Sequence, residues 1–251
     1  MTFVFPMAGE SRRFAQAGYQ EPKFRLPIHG ASLFDHVVRG FAAYFDVDLF
    51  VFIARDSEAA GFVTERCQTL GIAKPVIVTL DTPTAGQAET VFLGLEKAGI
   101  DDSEAVTIFN IDTIRPGYSK PARFADPAWA GYLEVFHGTG EQWSFVAPDP
   151  DDPDGVARVT EKLPISDLCC TGLYHFRRAG DFRWTYRNPA PPASEAERRE
   201  RYVAPLYNSL IARGDRIAFR VIDPSRIVFC GTPEQYEHVA ASEEIGRRLR
   251  P

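Results

Sequence analysis

The chain has 251 residues, 45% of them hydrophobic, and a formal net charge of −6. This length suits one large α/β domain or two small ones, and the apolar content predicts a sizeable packed core. The negative charge argues against broad binding to nucleic acid or anionic membranes, so any phosphate site must be local, made by a few placed cations.

Cysteine and histidine spacing excludes the common metal and redox motifs. No two cysteines form a C-x-x-C pair, and no two histidines have a metal-ligand spacing. The adjacent Cys169 and Cys170 lie in an apolar run, and we expect them to be buried, reduced thiols on the two faces of a strand. The N-terminus lacks a basic region followed by a long apolar stretch, and no apolar run approaches a membrane span. The sequence therefore predicts a cytoplasmic protein that binds neither membrane nor nucleic acid.

The first half of the chain alternates strand and helix patterns. Apolar runs predict strands, and amphipathic patterns predict the helices between them. The predicted strands are 2–6, 49–54, 75–80 and 105–111. The predicted helices are 33–45, one that follows the second strand and runs to about residue 70, and 87–98. Near-continuous apolar strands separated by helices indicate a mostly parallel sheet covered on both faces.

The pattern changes after Pro116. Four further strands are predicted, in "GYLEVFHG", "WSFVAP", "GVARVTEK" and "DLCCTGLYHF", and such neighbours add antiparallel strands to a sheet. A proline-rich loop at 187–197 precedes a long predicted helix that ends near Arg213. We predict an α/β fold: a three-layer αβα sandwich with a mixed, mostly parallel central sheet. It forms one domain over 1–251, with halves at about 1–115 and 116–236 for two different ligands.

The loop after the first strand has the composition of an anion site. Open parallel α/β sheets bind ligands at the carboxyl ends of their strands, where this loop lies. Gly9 lets the backbone approach a phosphate closely. The nearby Arg12 and Arg13 each carry a guanidinium that can bind two phosphate oxygens at once. A turn with solvated arginines would fit the loop alone equally well.

The residues around this loop favour the anion site. "AGESRRF…GYQEPKFRLPIHGASLFDHVV" resembles the opening signature of nucleotidyltransferases that make nucleoside-diphosphate sugars and related activated compounds. The matching positions, in order, are Gly9, Arg13, Pro22, Lys23, Pro27, Gly30 and Leu33. The pattern departs at Ser11, where many members have a second glycine, and at Arg12, usually a small hydroxyl residue. The resemblance covers about residues 3–236 and implies a fold of the GT-A-like nucleotide-diphospho-sugar transferase type.

The resemblance implies roles for residues in the nucleotide half, about 1–115. Arg13 would hold the β- and γ-phosphates of a nucleoside triphosphate, and Lys23 would lie at the α-phosphate. The remaining loop residues expected to bind nucleotide are Ala8, Gly9, Glu10, Ser11 and Arg12. In "TPTAGQAETV", Gly86 and Gln87 would read the nucleobase. An ordinary helix cap by Thr84 is compatible with the same sequence.

The resemblance also implies a metal site and an acceptor site. Asp112 in "FNIDTIRPG" would hold Mg²⁺ against triphosphate oxygens, as a hard cation prefers. Phe229 stands where many members carry a second metal carboxylate, and Asp223 is the alternative candidate for that role. The predicted acceptor-binding residues, in the half at about 116–236, are Glu161, Lys162, Gly172 and Tyr174.

These residues together predict a Mg²⁺-dependent nucleotidyltransferase. The expected partners are a nucleoside triphosphate (NTP) and a small phosphorylated acceptor, and the sequence is compatible with a homo-oligomer. Segments such as "NIDTIRPG" resemble members encoded with capsule and surface-polysaccharide biosynthesis. Two alternatives stay open: a GT-A-type glycosyltransferase that uses a nucleotide sugar, and a non-catalytic nucleotide-binding protein. The sequence identifies neither the base nor the acceptor.

Overall fold

A computed structural model describes residues 1–249, apart from the side chains of residues 123 and 124. In chain order its strands are β1 (Thr2–Pro6), β2 (Pro27–Ile28), β3 (Ala31–Ser32), β4 (Leu49–Ala54), β5 (Pro75–Thr79), β6 (Val106–Phe109), β7 (Thr113–Ile114), β8 (Trp129–His137), β9 (Ser144–Asp149), β10 (Asp152–Glu161), β11 (Leu168–Phe176), β12 (Arg216–Val221) and β13 (Val228–Phe229). Its helices are α1 (Arg12–Gln16), α2 (Leu33–Arg39), α3 (Ser57–Leu70), α4 (Gln87–Lys97), α5 (Ala179–Arg187), α6 (Glu195–Arg199), α7 (Tyr207–Arg213), α8 (Pro233–Ala241) and α9 (Glu243–Leu249).

A mixed sheet organises the described residues. Nine strands run in the order β5-β4-β1-β6-β11-β8-β12-β10-β9. The first-half strands β5, β4, β1 and β6 pair in parallel, and β12 pairs in parallel with β8. The pairings made by β9, β10 and β11 are antiparallel. The α/β fold and its mixed sheet are confirmed. The expectation of a mostly parallel sheet holds for the first half alone, because β9 and β10 form an antiparallel hairpin and β11 runs antiparallel to β6, β8 and β9.

Alternating side chains on the parallel strands face two different hydrophobic clusters. Phe3 and Phe5 pack into a cluster with residues of α2 and α3, whereas Val4 packs into another with α4, α5 and α7. All three side chains are fully buried. A strand whose two faces are both covered must be apolar at every position. This explains the continuous apolar runs that predicted these strands.

The helix expected at 33–45 ends early. It begins at a capping box made by Ser32 and Asp35, and its last helical residue is Arg39. A methyl group at Gly40 would collide with the backbone oxygen of Arg115, and the Gly40 carbonyl accepts a hydrogen bond from Tyr118. The chain therefore leaves the helix at Gly40, where it packs closely against the segment that follows β7.

The long helix expected to end near Arg213 is also broken. Helix α6 stops at Arg199 and α7 starts at Tyr207, with Pro205 between them. Proline has no N–H to donate and restricts the residue before it. In addition, the backbone of Arg201 bonds to Ala85 and Ala88 rather than to its own helix. Helix α5, before the proline-rich loop, is an element that the sequence pattern did not predict.

The described helices are short. The longest, α3, has 14 residues. Within residues 1–249, no helix combines the length and apolar character needed to cross a membrane.

Candidate active site

A cleft of about 710 Å³ opens where the first-half strands end and the second-half strands approach them. Its lining combines the opening loop, the start of α4, the segment after β6, the end of β10 and the middle of β11. Most of the residues predicted from the sequence line it. They are Ala8, Gly9, Glu10, Ser11, Arg12, Arg13, Lys23, Gly86, Gln87, Asp112, Glu161, Gly172 and Tyr174.

The opening loop turns sharply into α1. Ser11 has a left-handed backbone with φ 50°, and a methyl group at Gly9 would meet nothing within 4 Å. The side chain of Arg12 pairs with Glu10. Among the described residues, no carboxylate lies within ion-pair distance of Arg13. The loop thus presents an open glycine backbone and one uncommitted guanidinium to the cleft, as an anion would require.

An ion pair joins the opening segment to the end of β6. The Nζ atom of Lys23 lies 2.6 Å from Oδ2 of Asp112, and both side chains are about three-quarters buried. The backbone oxygen of Asp112 accepts a hydrogen bond from Cys230, and the Cβ position of Gly231 is 3.3 Å from Oδ2. The carboxylate is therefore held between the Pro-Lys segment and the chain that follows β13.

The loop before α4 is connected to the strand beside it. Nε2 of Gln87 donates to Oδ1 of Asn110 at 2.6 Å. Gly86 has φ 143°, and a methyl group there would lie 2.5 Å from the backbone oxygen of Arg201. Glycine is therefore required at position 86 partly because the backbone of Arg201 leaves no room there for a side chain. Thr84 bonds the side chain of Thr90 and does not cap α4.

The acceptor side of the cleft contains a buried carboxylate. Glu161 is 5% exposed, and Ser144 donates a short hydrogen bond to its Oε2. Burial raises the pKa of Glu161 to about 7, against the hydrogen bond from Ser144 and the charge of Lys162. Among the described residues, no ion pair is formed with this carboxylate. Glu161 is thus suited to accept hydrogen bonds from a ligand's hydroxyl or amine groups.

Gly172 contributes to the site through its shape. It has φ 92°, and a methyl group there would collide with the side chain of Asn110. The pairing of β11 with β8 shifts register between Cys170 and Tyr174, so Gly172 lies at the irregularity. The glycine lets β11 press against Asn110, which in turn holds Gln87. Tyr174 is buried beyond it, and burial raises its pKa well above the ordinary value.

Two predicted residues do not line the cleft. Lys162 lies at its edge, where its Nζ donates to the hydroxyl of Tyr202 at 2.8 Å. The side chain of Asp223 caps a short turn by accepting from the backbone of Ser225, and the residue is exposed. The suggestion that Asp223 ligates a metal beside Asp112 does not fit this position, because its carboxylate serves a local turn outside the cleft.

Aromatic residues form one wall of the cleft. Phe229 lies in β13 and pairs with Thr113, the residue that follows Asp112 in the chain. Its ring packs against Trp143 with centroids 4.6 Å apart, and Phe136 lies behind both. The place of the second carboxylate is therefore taken by an apolar surface. Within the described residues, no group of three or more His, Cys, Asp or Glu side chains could hold a metal ion.

The fold also brings to the cleft residues that the sequence pattern did not single out. They include Gln142, Trp143, Ser144, Arg199, Glu200, Tyr202 and Gln235. Trp143 and Ser144 begin a predicted strand, and residues at strand ends often contact ligands. The sequence could therefore have indicated these two as site residues. Glu200 and Tyr202 fall within the long helix that the sequence predicts, and nothing in their local pattern marks them.

Comparisons with known proteins agree with this arrangement. A nucleoside-diphosphate-sugar pyrophosphorylase from Vibrio cholerae RC9 has 46% sequence identity to the chain and a TM-score of 0.89, and the match covers 96% of this chain and 100% of that one. A putative glucose-1-phosphate thymidylyltransferase from Bacillus anthracis matches with 17% identity, a TM-score of 0.73, and coverage of 96% and 93%. The inositol-1-phosphate CTP transferase from T. maritima matches with 12% identity, a TM-score of 0.71, and coverage of 99% and 94%.

The last two matches show a shared fold alone, whereas the first extends to the sequence over nearly all of both chains. Searches against protein-family models and against curated protein sequences found no match. The match to the Vibrio protein identifies the family. The cleft described above contains the glycine, lysine and aspartate residues that the resemblance to this family implies. The chain belongs to the nucleoside-diphosphate-sugar pyrophosphorylases, which are nucleotidyltransferases.

Proposed function

We propose that the protein is a Mg²⁺-dependent nucleotidyltransferase that joins an NTP to a sugar 1-phosphate or a related small phosphate and releases pyrophosphate. The observation that carries this proposal is the Lys23–Asp112 pair at 2.6 Å, set between the open Gly9 loop and the buried Glu161. A cation, a metal-binding type of carboxylate and a phosphate loop thus share one cleft. Several structural neighbours are named as sugar-phosphate nucleotidyltransferases or pyrophosphorylases, which supports the same reaction class.

The reaction exchanges one phosphoanhydride partner for another. An oxygen of the acceptor phosphate attacks the α-phosphorus of the NTP, the bond from that phosphorus to the bridging oxygen breaks, and pyrophosphate leaves. A phosphate monoester is already an anion near neutral pH, so the step requires no general base. Catalysis then rests on alignment and on neutralising charge at the phosphates.

The first-half residues divide the triphosphate between them. Arg13 and the backbone of the Gly9 loop hold the β- and γ-phosphates, where a free guanidinium can bind in a bidentate manner. Lys23 neutralises charge at the α-phosphate during transfer. Gln87, held by Asn110, contacts the base edge.

The metal assignment rests on Asp112. Its carboxylate is partly exposed in the cleft and is the kind of hard oxygen ligand that Mg²⁺ takes from proteins, with phosphates and water completing the coordination. One such carboxylate fits a site shared with the nucleotide, and Phe229 supplies no second one. When bound, Mg²⁺ neutralises phosphate charge and helps to orient the triphosphate.

The acceptor binds on the opposite side of the cleft. Glu161 accepts hydrogen bonds from hydroxyl or amine groups of the acceptor, and Lys162 binds the acceptor's phosphate. Because Gly172 has no side chain, the acceptor can approach the backbone closely there. In this proposal about residues 1–115 serve the nucleotide and about 116–236 the acceptor. We further propose that the protein acts in the cytoplasm and that its product is used for capsule or surface-polysaccharide biosynthesis. The sequence resemblance supports this biosynthetic role.

A pyrophosphate-release assay tests the function. Each of the four NTPs is combined with Mg²⁺ and a panel of sugar 1-phosphates and other small phosphates. We expect release with one NTP that depends on both the metal and the acceptor. Hydrolysis or transfer of a nucleotide sugar, with no pyrophosphate from any NTP, would instead favour a glycosyltransferase.

A further inference from the structure

Residues 194–202 cross the mouth of the cleft, and we call them the bridge segment. They contain helix α6 and the extended residues after it. Three of its side chains, Arg199, Glu200 and Tyr202, line the cleft. The segment has no assigned part in the function proposed above.

One end of the bridge segment is bound through the backbone to residues 84–88 at the start of α4, which we call the nucleotide loop. The amide of Arg201 donates to the carbonyl of Ala85 at 2.9 Å, and the amide of Ala88 donates to the carbonyl of Arg201 at 2.9 Å. These two bonds enclose Gly86, where any side chain would strike Arg201. These paired backbone bonds connect the loop directly to the bridge segment.

Two further contacts of the bridge segment reach the end of β10 and the residue after it. Oε1 of Glu197 accepts a hydrogen bond from the backbone amide of Glu161 at 2.9 Å. The hydroxyl of Tyr202 accepts from Nζ of Lys162 at 2.8 Å, and the same ammonium lies 4.9 Å from the centroid of the tyrosine ring. The bridge segment thus touches two of the residues that we assign to the acceptor, Glu161 and Lys162.

The hydroxyl of Tyr202 is oriented by a third group. It donates to Oε2 of Glu200 at 2.8 Å, so its lone pairs face Lys162. Lys162 itself directly follows β10 and has a left-handed backbone with φ 53°. Its ammonium has three N–H donors, so two remain for a phosphate while one is bound to Tyr202.

We propose that Tyr202 is a positioning residue: with Glu200 it aims Lys162 at the acceptor phosphate, and through the bridge segment it couples this lysine to the nucleotide loop. The inference rests on the proposed function. It predicts that filling the nucleotide subsite also orders the turn that carries Lys162, before any acceptor binds. The two substrates then bind with positive coupling, because the first ligand orders part of the second ligand's site.

Hydrogen exchange with and without an NTP tests this coupling without knowledge of the acceptor. The probe is the NTP, with Mg²⁺, that most raises the melting temperature of the protein among the four. In the wild type we expect slower exchange at 84–88 and also at 159–163. In Tyr202→Phe, which keeps the ring and loses the hydroxyl, the slowing should persist at 84–88 and be reduced at 159–163, where the bond from the Glu161 amide to Glu197 remains.

Two further variants sharpen this experiment. Tyr44→Phe is the matched control, because Tyr44 also accepts a hydrogen bond through its hydroxyl and lies near a lysine, Lys120, but does not line the cleft. It should behave as the wild type. In a Lys162→Ala background, Tyr202→Phe should cause no additional change at 159–163, because a residue that acts only through another shows a non-additive effect.

Kinetics supply a second readout, with the acceptor phosphate that the pyrophosphate-release assay identifies. Tyr202→Phe should raise the acceptor KM about 3- to 10-fold, the size expected for one hydrogen bond, and leave the KM for NTP unchanged. Protection at 84–88 with none at 159–163 in the wild type would overturn the coupling alone. Unchanged acceptor KM in Tyr202→Phe would overturn the positioning role. If no NTP changes the melting temperature or the exchange, the proposed function fails and the inference fails with it.

Discussion

Lys23 and Asp112 are 89 positions apart in the chain, yet their side chains meet at 2.6 Å in the cleft. Lys23 follows the opening loop and Asp112 follows β6, which lies next to β1 in the sheet. Because β1 and β6 are parallel, their carboxyl ends lie at the same edge, and the segments after them converge. In the NTP complex that we propose, the phosphates would separate this pair, with Lys23 at the α-phosphate and Asp112 holding the metal ion.

Replacing Asp112 with asparagine should lower kcat about 100- to 1000-fold, the range for one electrostatic contact to a transition state. The fold should persist, since the carboxylate contacts Lys23 in the cleft and contributes little to the core. Pyrophosphate release at saturating Mg²⁺ measures the effect, and circular dichroism checks the fold. Asp223→Asn is the matched control outside the cleft and should be fully active. Near-normal turnover of Asp112→Asn would remove the metal assignment.

Lys23→Ala should reduce kcat about 100-fold while changing the KM for NTP less than about 10-fold. The reason is that a charge at the α-phosphate is most effective as that phosphorus reacts. Steady-state kinetics with varied NTP separates the two parameters. Lys97→Ala, which removes a surface ammonium bonded to the Thr79 carbonyl, is the control. A variant with raised KM for NTP and unchanged kcat would show that Lys23 contributes to binding of the NTP before reaction and not to the transition state.

Glu161 should make the stability of the protein depend on pH. Burial raises its pKa from 4.5 to about 7, so the folded state holds this proton more tightly than the unfolded state does. The stabilisation is complete below about pH 4.5, declines as pH rises, and is lost above about pH 7. One pKa unit corresponds to about 1.4 kcal/mol, which makes the total about 3 kcal/mol.

Urea unfolding of the wild type and Glu161→Gln between pH 4.5 and 8 measures this contribution. The variant keeps the shape of the side chain and cannot ionise. The free energy of unfolding of the wild type should fall relative to that of the variant as pH rises. A difference between the two proteins that does not change with pH would contradict the raised pKa.

Gly172→Ala should destabilise the protein by about 1–3 kcal/mol, because alanine at φ 92° is strained and its methyl group would collide with Asn110. It should also weaken NTP binding, since Asn110 holds Gln87. Thermal unfolding and NTP titration measure the two effects. Gly61→Ala, in the middle of α3 with open space around it, should instead stabilise the protein by about 0.5–1 kcal/mol. Equal behaviour of the two variants would contradict the role of Gly172.

The sequence alone determined the parts of the cleft that lie next to predicted strands. Gly9 and Asp112 each follow an apolar run, and the parallel arrangement that such runs imply brings their neighbourhoods together. The glycine, proline and charged residues of the opening loop indicated a ligand site through their composition and order. Local pattern was sufficient here because the position of a residue along its strand also determines at which edge of the sheet it lies.

Only the tertiary structure decided how the second half completes the cleft. Tyr202 reaches it because the chain leaves a helix to bond with Ala85 and Ala88, and local periodicity carries no information about such a partner. Nearness in sequence suggested Asp223 for the site, but its carboxylate caps a turn outside the cleft. Side-chain patterns report which residues face a core. Which distant segments meet depends on the packing of the whole chain, and in this protein that packing places the bridge segment between the two halves.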